Sequence, residues 1–321
     1  MLLFLTACGQ PTVSNKDIDI NNNIEVSNKI NDNIQNSRTS KHVIIPGTRL
    51  YIIPPKDFLL SYSFLGFQKG TNTLINIIDL PGGNFYTNAA TFNKSEFENK
   101  GARVFEYKEI KVNGYPAKYL YMQGDPTAKS YALVFGDTTF SASIMAVFPV
   151  TDEQTGLDIL NSLNSIWYDT TKKIDPFETA NFGLDESVSK FKFSSFNANV
   201  YMYTKDGKKR ENIDIEPLFL VVQIPKDNSM TSKSVADMML GKIQQYGLTN
   251  PIVKNSSSEQ INGYETFQME VSGKMKNKNA LMYYCVVSSA DKAIVMQGLL
   301  PNGKTDDLKE FKKLATTVNV R

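Results

Sequence analysis

The stretch Glu109-Ile-Lys-Val-Asn-Gly-Tyr-Pro-Ala-Lys-Tyr-Leu-Tyr-Met-Gln-Gly124 returns later as Ser258-Glu-Gln-Ile-Asn-Gly-Tyr-Glu-Thr-Phe-Gln-Met-Glu-Val-Ser-Gly273. The tripeptides Asn113-Gly114-Tyr115 and Asn262-Gly263-Tyr264 match, as do Gly124 and Gly273 at the same distance beyond them. Between these anchors Val112, Leu120 and Met122 fall opposite Ile261, Met269 and Val271. That alternation is the period-two pattern of a strand holding one face to a core. Each copy reads as a tight Asn-Gly turn that feeds a strand, so the chain carries an internal duplication.

The order of elements around the two copies agrees. In the first, strand-like runs at Val43–Ile45, Leu50–Ile53, Phe64–Phe67 and Leu74–Leu80 stop at prolines 54, 55 and 81, which cannot continue a ladder. A helix is predicted over Thr87–Lys100, then four strands, then a helix opened by a Thr151/Gln154 capping box with the stripe Leu157, Leu160, Leu163 and Trp167. The second copy repeats this: strands, a stop at Pro225, a helix begun at Ser234 and closed by Gly247, four strands, and a last helix capped by Thr305 with Leu308, Phe311 and Leu314 inward. Runs of adjacent strands without intervening helices cannot be parallel crossovers. The fold class is therefore α+β, as two tandem domains, each an antiparallel sheet packed with helices. The expected boundaries are 43–167 and 181–321, with a linker at 168–180.

The N-terminus reads as an address. Leu5-Thr6-Ala7-Cys8 resembles the lipobox of bacterial lipoprotein signal peptides, in which the cysteine is acylated. This implies a signal peptide over 1–8 and a lipid membrane anchor on Cys8. The segment lacks a basic start and its apolar core is short, so the natural start is expected upstream. Residues 9–42, rich in Asn, Ser and Lys, are expected to be a disordered tether, because they offer too little apolar surface to offset ordering entropy.

Composition narrows the chemistry. Lys and Arg total 35 against 33 Asp and Glu, a balance that gives no electrostatic reason to expect nucleic acid. The lone histidine, His42, precedes the first predicted domain, and there are two cysteines in unlike contexts. Triads built on histidine and ordinary zinc sites have no parts to work with. Cys285 sits in an apolar run and reads as a buried thiol. We expect no enzyme, no cofactor and no catalytic or metal residue. Eight of the 11 methionines lie in the second copy and read as core filling.

The chain also resembles the PsbP and Mog1-like superfamily, including envelope lipoproteins of that fold. The likeness rests on Ile52-Ile53-Pro54-Pro55 with Phe58, the two Asn-Gly-Tyr turns, Leu133-Val134-Phe135-Gly136-Asp137, and Phe148-Pro149. These motifs are structural, so the resemblance implies a fold and a tendency to bind partners, with no catalytic residue carried over.

Aromatic residues are the functional lead. Tyr119 and Tyr121 stand where the second copy has Gln268 and Glu270. That face is either covered by the unit's own helix or open, and if open it forms, with Phe85 and Tyr86 in the loop after Pro81, the candidate binding surface. The expected function is a non-catalytic cell-envelope lipoprotein, anchored on the extracytoplasmic side, that docks a protein partner. The alternative is a binder of a glycan or small molecule on that aromatic face or in the cleft between domains.

Overall fold

A computed structural model describes residues 28–321, apart from 62–63, 198, 210–215, 227–228, 291 and 302–304. The chain divides into two compact units between Glu178 and Thr179. Cys8 and the lipobox lie outside the described residues.

In the first unit the strands are β1 (Asn33–Ile34), β2 (Val43–Ile44), β3 (Leu50–Ile52), β4 (Leu59–Leu60), β5 (Gly66–Lys69) and β6 (Thr73–Pro81). Two short helices follow, α1 (Phe85–Asn88) and α2 (Lys94–Glu98). Then come β7 (Arg103–Val112), β8 (Tyr115–Asp125), β9 (Ala128–Gly136), β10 (Phe140–Pro149), helix α3 (Glu153–Asn164) and β11 (Trp167–Tyr168). The main sheet runs β1-β7-β8-β9-β10-β6-β5-β4, while β3 is paired between β11 and β2.

The second unit has β12 (Phe182–Gly183), β13 (Lys192–Asn197), β14 (Val200–Thr204), β15 (Leu218–Pro225) and helix α4 (Ser232–Gly241). It continues with β16 (Thr249–Ile261), β17 (Tyr264–Met275), β18 (Lys278–Ser288), β19 (Lys292–Pro301), helix α5 (Thr305–Ala315) and β20 (Asn319–Val320). Its sheet runs β13-β14-β15-β19-β18-β17-β16. Both units are thus sheets with helices packed on them, antiparallel except where β1 joins β7, and the α+β class holds.

The duplicated turns have the expected geometry. Asn113 and Gly114 take φ 47° and 84°, Asn262 and Gly263 52° and 85°, the paired positive values of a two-residue hairpin turn. Both strand-ending prolines sit where the sequence placed them. Two residues before each, a buried polar side chain ties in the start of its unit. Asp79 accepts from the Arg49 backbone N–H at 2.8 Å, from Arg49 Nε at 3.0 Å and Nη2 at 2.7 Å, and from the Tyr168 hydroxyl at 2.9 Å. In the second unit Gln223 accepts from the Asn181 backbone N–H, and its Nε2 donates to Thr179 O at 3.2 Å and Asn199 Oδ1 at 3.1 Å.

Several expectations are corrected. The helix over Thr87–Lys100 is two pieces, because Asn84 and Asn93 each accept from a backbone N–H three residues on and so open separate short helices. Helix α3 is capped by Asp152, whose Oδ1 accepts from Thr155 N at 3.1 Å, rather than by Thr151; Trp167 lies beyond it, in β11. Helix α4 begins under a Thr231/Ser234 capping box, and Thr305 is the first helical residue of α5. The linker expected from 168 begins too early, because Tyr168 pairs with Leu50. The tether expected to reach 42 is also corrected for residues 28–42: Ile30 and Ile34 are 3% and 1% exposed, and β1 lies parallel to β7, with Ile34 opposite Val112.

Candidate functional site

The four aromatic residues read from the sequence do not form one surface. Tyr119 is 1% exposed. Its ring stacks at 6.0 Å on Tyr131, which lies 5.2 Å from Phe148. Helix α3 closes over Phe148 at Gly156, where an added Cβ would come within 2.5 Å of the ring. Phe85 is also buried, but it packs with Ala89, Val134 and Phe92. Val134 alternates with Leu133, the partner of Tyr119 across the β8–β9 ladder, so Phe85 and Tyr119 lie on opposite faces of the sheet. Tyr86 alone of the four is well exposed, at 59%. The candidate surface is corrected accordingly: Tyr119 and Phe85 are core residues of two separate faces.

Tyr121 remains half-buried and is where the aromatic row reaches solvent. Its ring lies 4.8 Å from Tyr131 and 4.8 Å from Phe105. A bulge in β7 between Val104 and Glu106 re-aims Phe105, leaving it 38% exposed. The Arg103 guanidinium sits 5.0 Å over the Phe105 ring and the Lys129 ammonium 6.0 Å from it. Lys129 also stands 3.9 Å from Glu153. An exposed ring on a half-buried one, flanked by two cations, is the first unit's aromatic opening. Sequence reasoning missed Phe105, Arg103 and Lys129, since strand alternation carries no sign of the bulge that gathers them.

Burial, and after it the neighbouring Tyr131, pushes the Tyr119 hydroxyl above its ordinary range, so it stays a neutral packing group at neutral pH. On the matching face of the second unit Gln268 accepts from the Tyr283 hydroxyl and donates to Glu259. Glu270 accepts from Lys312 Nζ at 2.6 Å and Asn255 Nδ2 at 2.9 Å. Burial acts to raise the Glu270 carboxyl, yet those two hydrogen bonds hold it below its ordinary value. Cys285 is fully buried beside Tyr283, and burial pushes its thiol up to about 12, which leaves almost no thiolate to act as a nucleophile. Met239 of α4 shares a core cluster with Met269 and Met282, with Met202, Met230, Met238 and Met275 at its margin, as core filling requires. Among the described residues no group of three or more His, Cys, Asp or Glu is placed to hold a metal ion, and no helix is long and apolar enough to cross a membrane.

Neither a protein-family model nor a curated protein matches the chain. Solved structures similar to it include LpqN of Mycobacterium tuberculosis, involved in cell envelope biogenesis (10% identity, 44% of this chain, 78% of that one, TM-score 0.30). The cyanobacterial PsbP of Synechocystis is another (12% identity, 48% and 100%, TM-score 0.26). The Pseudomonas aeruginosa immunity protein TplEi aligns over 88% of this chain and 98% of its own, at 12% identity and TM-score 0.33. Such scores carry no argument about function, and the fold class stands on the sheets and helices above.

Proposed function

We propose that the chain is a non-catalytic cell-envelope lipoprotein, anchored through Cys8, that docks a protein partner through the Phe105–Tyr121 opening of its first unit. The observation that supports this is an exposed Phe105 packed at a tilt on Tyr121, with Arg103 and Lys129 each near its ring. Aromatic rings and arginine are the groups from which protein interfaces draw most of their affinity, and two cations at the rim favour an acidic partner surface.

A photo-crosslinking amino acid at Phe105, used in intact cells, tests the site. The expected result is one stoichiometric protein adduct that disappears when Arg103→Glu and Lys129→Glu are combined. A chain that gives no protein adduct overturns docking, and one that stays monomeric and shifts only when a glycan or metabolite is added supports the small-ligand alternative. Labelled fatty acid entering the chain, but not its Cys8→Ala form, tests the anchor separately.

A further inference from the structure

The two units solve one local problem differently. Carbonyls at the end of each C-terminal helix need donors. In the second unit the turn asparagine supplies them: Asn262 Nδ2 donates to Thr316 O at 3.1 Å and Val318 O at 2.7 Å. In the first unit Asn113 is engaged elsewhere, its Oδ1 accepting from Tyr168 N at 3.1 Å. The corresponding carbonyls, Asn164 O and Ile166 O, are met by Asn36 Nδ2 at 2.9 and 3.0 Å. Asn36 belongs to an added segment that also places Ile30 and Ile34 in buried sites. Its backbone is read as a strand: Lys111 N donates to Asp32 O at 2.9 Å and Asn113 N to Ile34 O at 2.8 Å. Asn164 clamps it further, accepting from Asn31 N and donating to Lys29 O, each at 2.9 Å.

These contacts make a receptor and a ligand within one chain. The receptor offers an open strand edge, sites for two isoleucines and two carbonyls awaiting an amide. The ligand is Ile30 to Asn36. Only two residues of it form ladder pairs, and in the duplicate unit β16 pairs with β17 and is the terminal strand of its sheet among the described residues, so this architecture does not require the addition. We propose that the β7 edge is a strand-acceptor site filled in cis by residues 29–36, and that its occupant in trans is the same segment of a second copy of this chain. A second copy is the partner that fits, since this segment is the one whose side chains match the sites.

Exchange is governed by concentration. Residues 37–41 connect the segment to His42, whose Nε2 meets Ser165 O at 2.8 Å, and five residues reach at most roughly 17 Å. So short a link holds the segment at an effective concentration in the millimolar range. Cis occupancy therefore wins in dilute solution, and trans occupancy requires crowding of copies or a disabled segment.

Two full-length variants test this together. Ile34→Asp spoils the segment and leaves the acceptor open. Lys111→Pro removes the N–H that Asp32 receives, on the side of β7 away from β8, and leaves the segment free to donate. Each alone is expected to sediment as a monomer, and their equimolar mixture as a 1:1 heterodimer. A labelled peptide of residues 28–38 is expected to bind the Ile34→Asp chain at least ~10-fold more tightly than the intact chain, whose site is filled. Peptide binding without a heterodimer overturns the second copy as occupant. No peptide binding to a folded Ile34→Asp chain overturns the acceptor site. An Ile34→Asp chain that does not fold overturns it too, because a detachable segment cannot be required for folding.

Discussion

The face of the first sheet that carries Tyr119, Tyr121 and Tyr131 and the face of the second that carries Gln268, Glu270 and Tyr283 occupy the same place under the same kind of helix. One is filled by stacked rings, the other by hydrogen bonds among Glu259, Gln268, Tyr283, Glu270 and Lys312. Divergence between the copies therefore marks two ways to satisfy one covered face, rather than a surface in one and a core in the other. A ring row gains from area and shape; a polar network must have every member paired to avoid the cost of an unmet buried group.

The steric fit changed in concert with the chemistry. In the first unit the close approach is a helix glycine, Gly156, against Phe148 of the strand; in the second it is a strand glycine, Gly298, against Phe311 of the helix. Counting from Pro149 and Pro301, Gly298 stands where the first unit has Ala146, and Phe311 stands where it has Ile159. A larger ring on the helix was thus matched by a smaller residue on the strand.

The strongest way to break the comparison is Tyr119→Ser with Tyr121→Ser. Because Tyr119 is buried, the pair should cost about 3–5 kcal/mol, as for deletion of a buried aromatic side chain, seen as a large fall in the urea midpoint at constant slope. A loss below about 1 kcal/mol would return these residues to the surface. Next in size is Gly298→Ala, whose Cβ would meet the Phe311 ring at 2.3 Å and should cost about 1–3 kcal/mol by overpacking. Adding Phe311→Ile, the residue the first unit has at that place, should recover part of that loss, and a double-mutant cycle measures how much.

The smallest expected effect belongs to Glu270. Its carboxyl is held below the ordinary 4.5, so its contribution is present above that value and is lost as pH falls through the lower folded value. The stability gap between the wild type and Glu270→Gln should be constant near neutrality and close below about pH 4.5. A gap that persists at pH 2 would show that the charge is not the source. No comparable step is expected on the tyrosine face of the first unit.

What was legible in the sequence was what local chemistry decides. Asn-Gly fixes a turn with positive φ, Pro81 and Pro225 end strands, and Leu308, Phe311 and Leu314 fall on one side of a helix whatever covers them. What stayed hidden depended on distant partners. Nothing near Tyr119 announces that α3 lies above it. The Asn-rich run at 28–36 looked too polar to order, and only the acceptor at Asn164 and Ile166 gives its asparagines a task. The exposed aromatic Phe105 needed a bulge, and a bulge is a property of two strands rather than of one.

The pairing of an early strand with the last strand in each unit has a consequence for how such a chain arises. Leu50 lies against Tyr168, with Asp169 N donating to Arg49 O at 2.9 Å, and Phe182 lies against Val320, with Arg321 N donating to Asn181 O at 2.8 Å. Entry and exit are thus neighbours, which is the arrangement that tolerates insertion and circular permutation. A gene segment encoding one unit can be copied in tandem without remodelling either copy, because the new unit leaves the old one where it began.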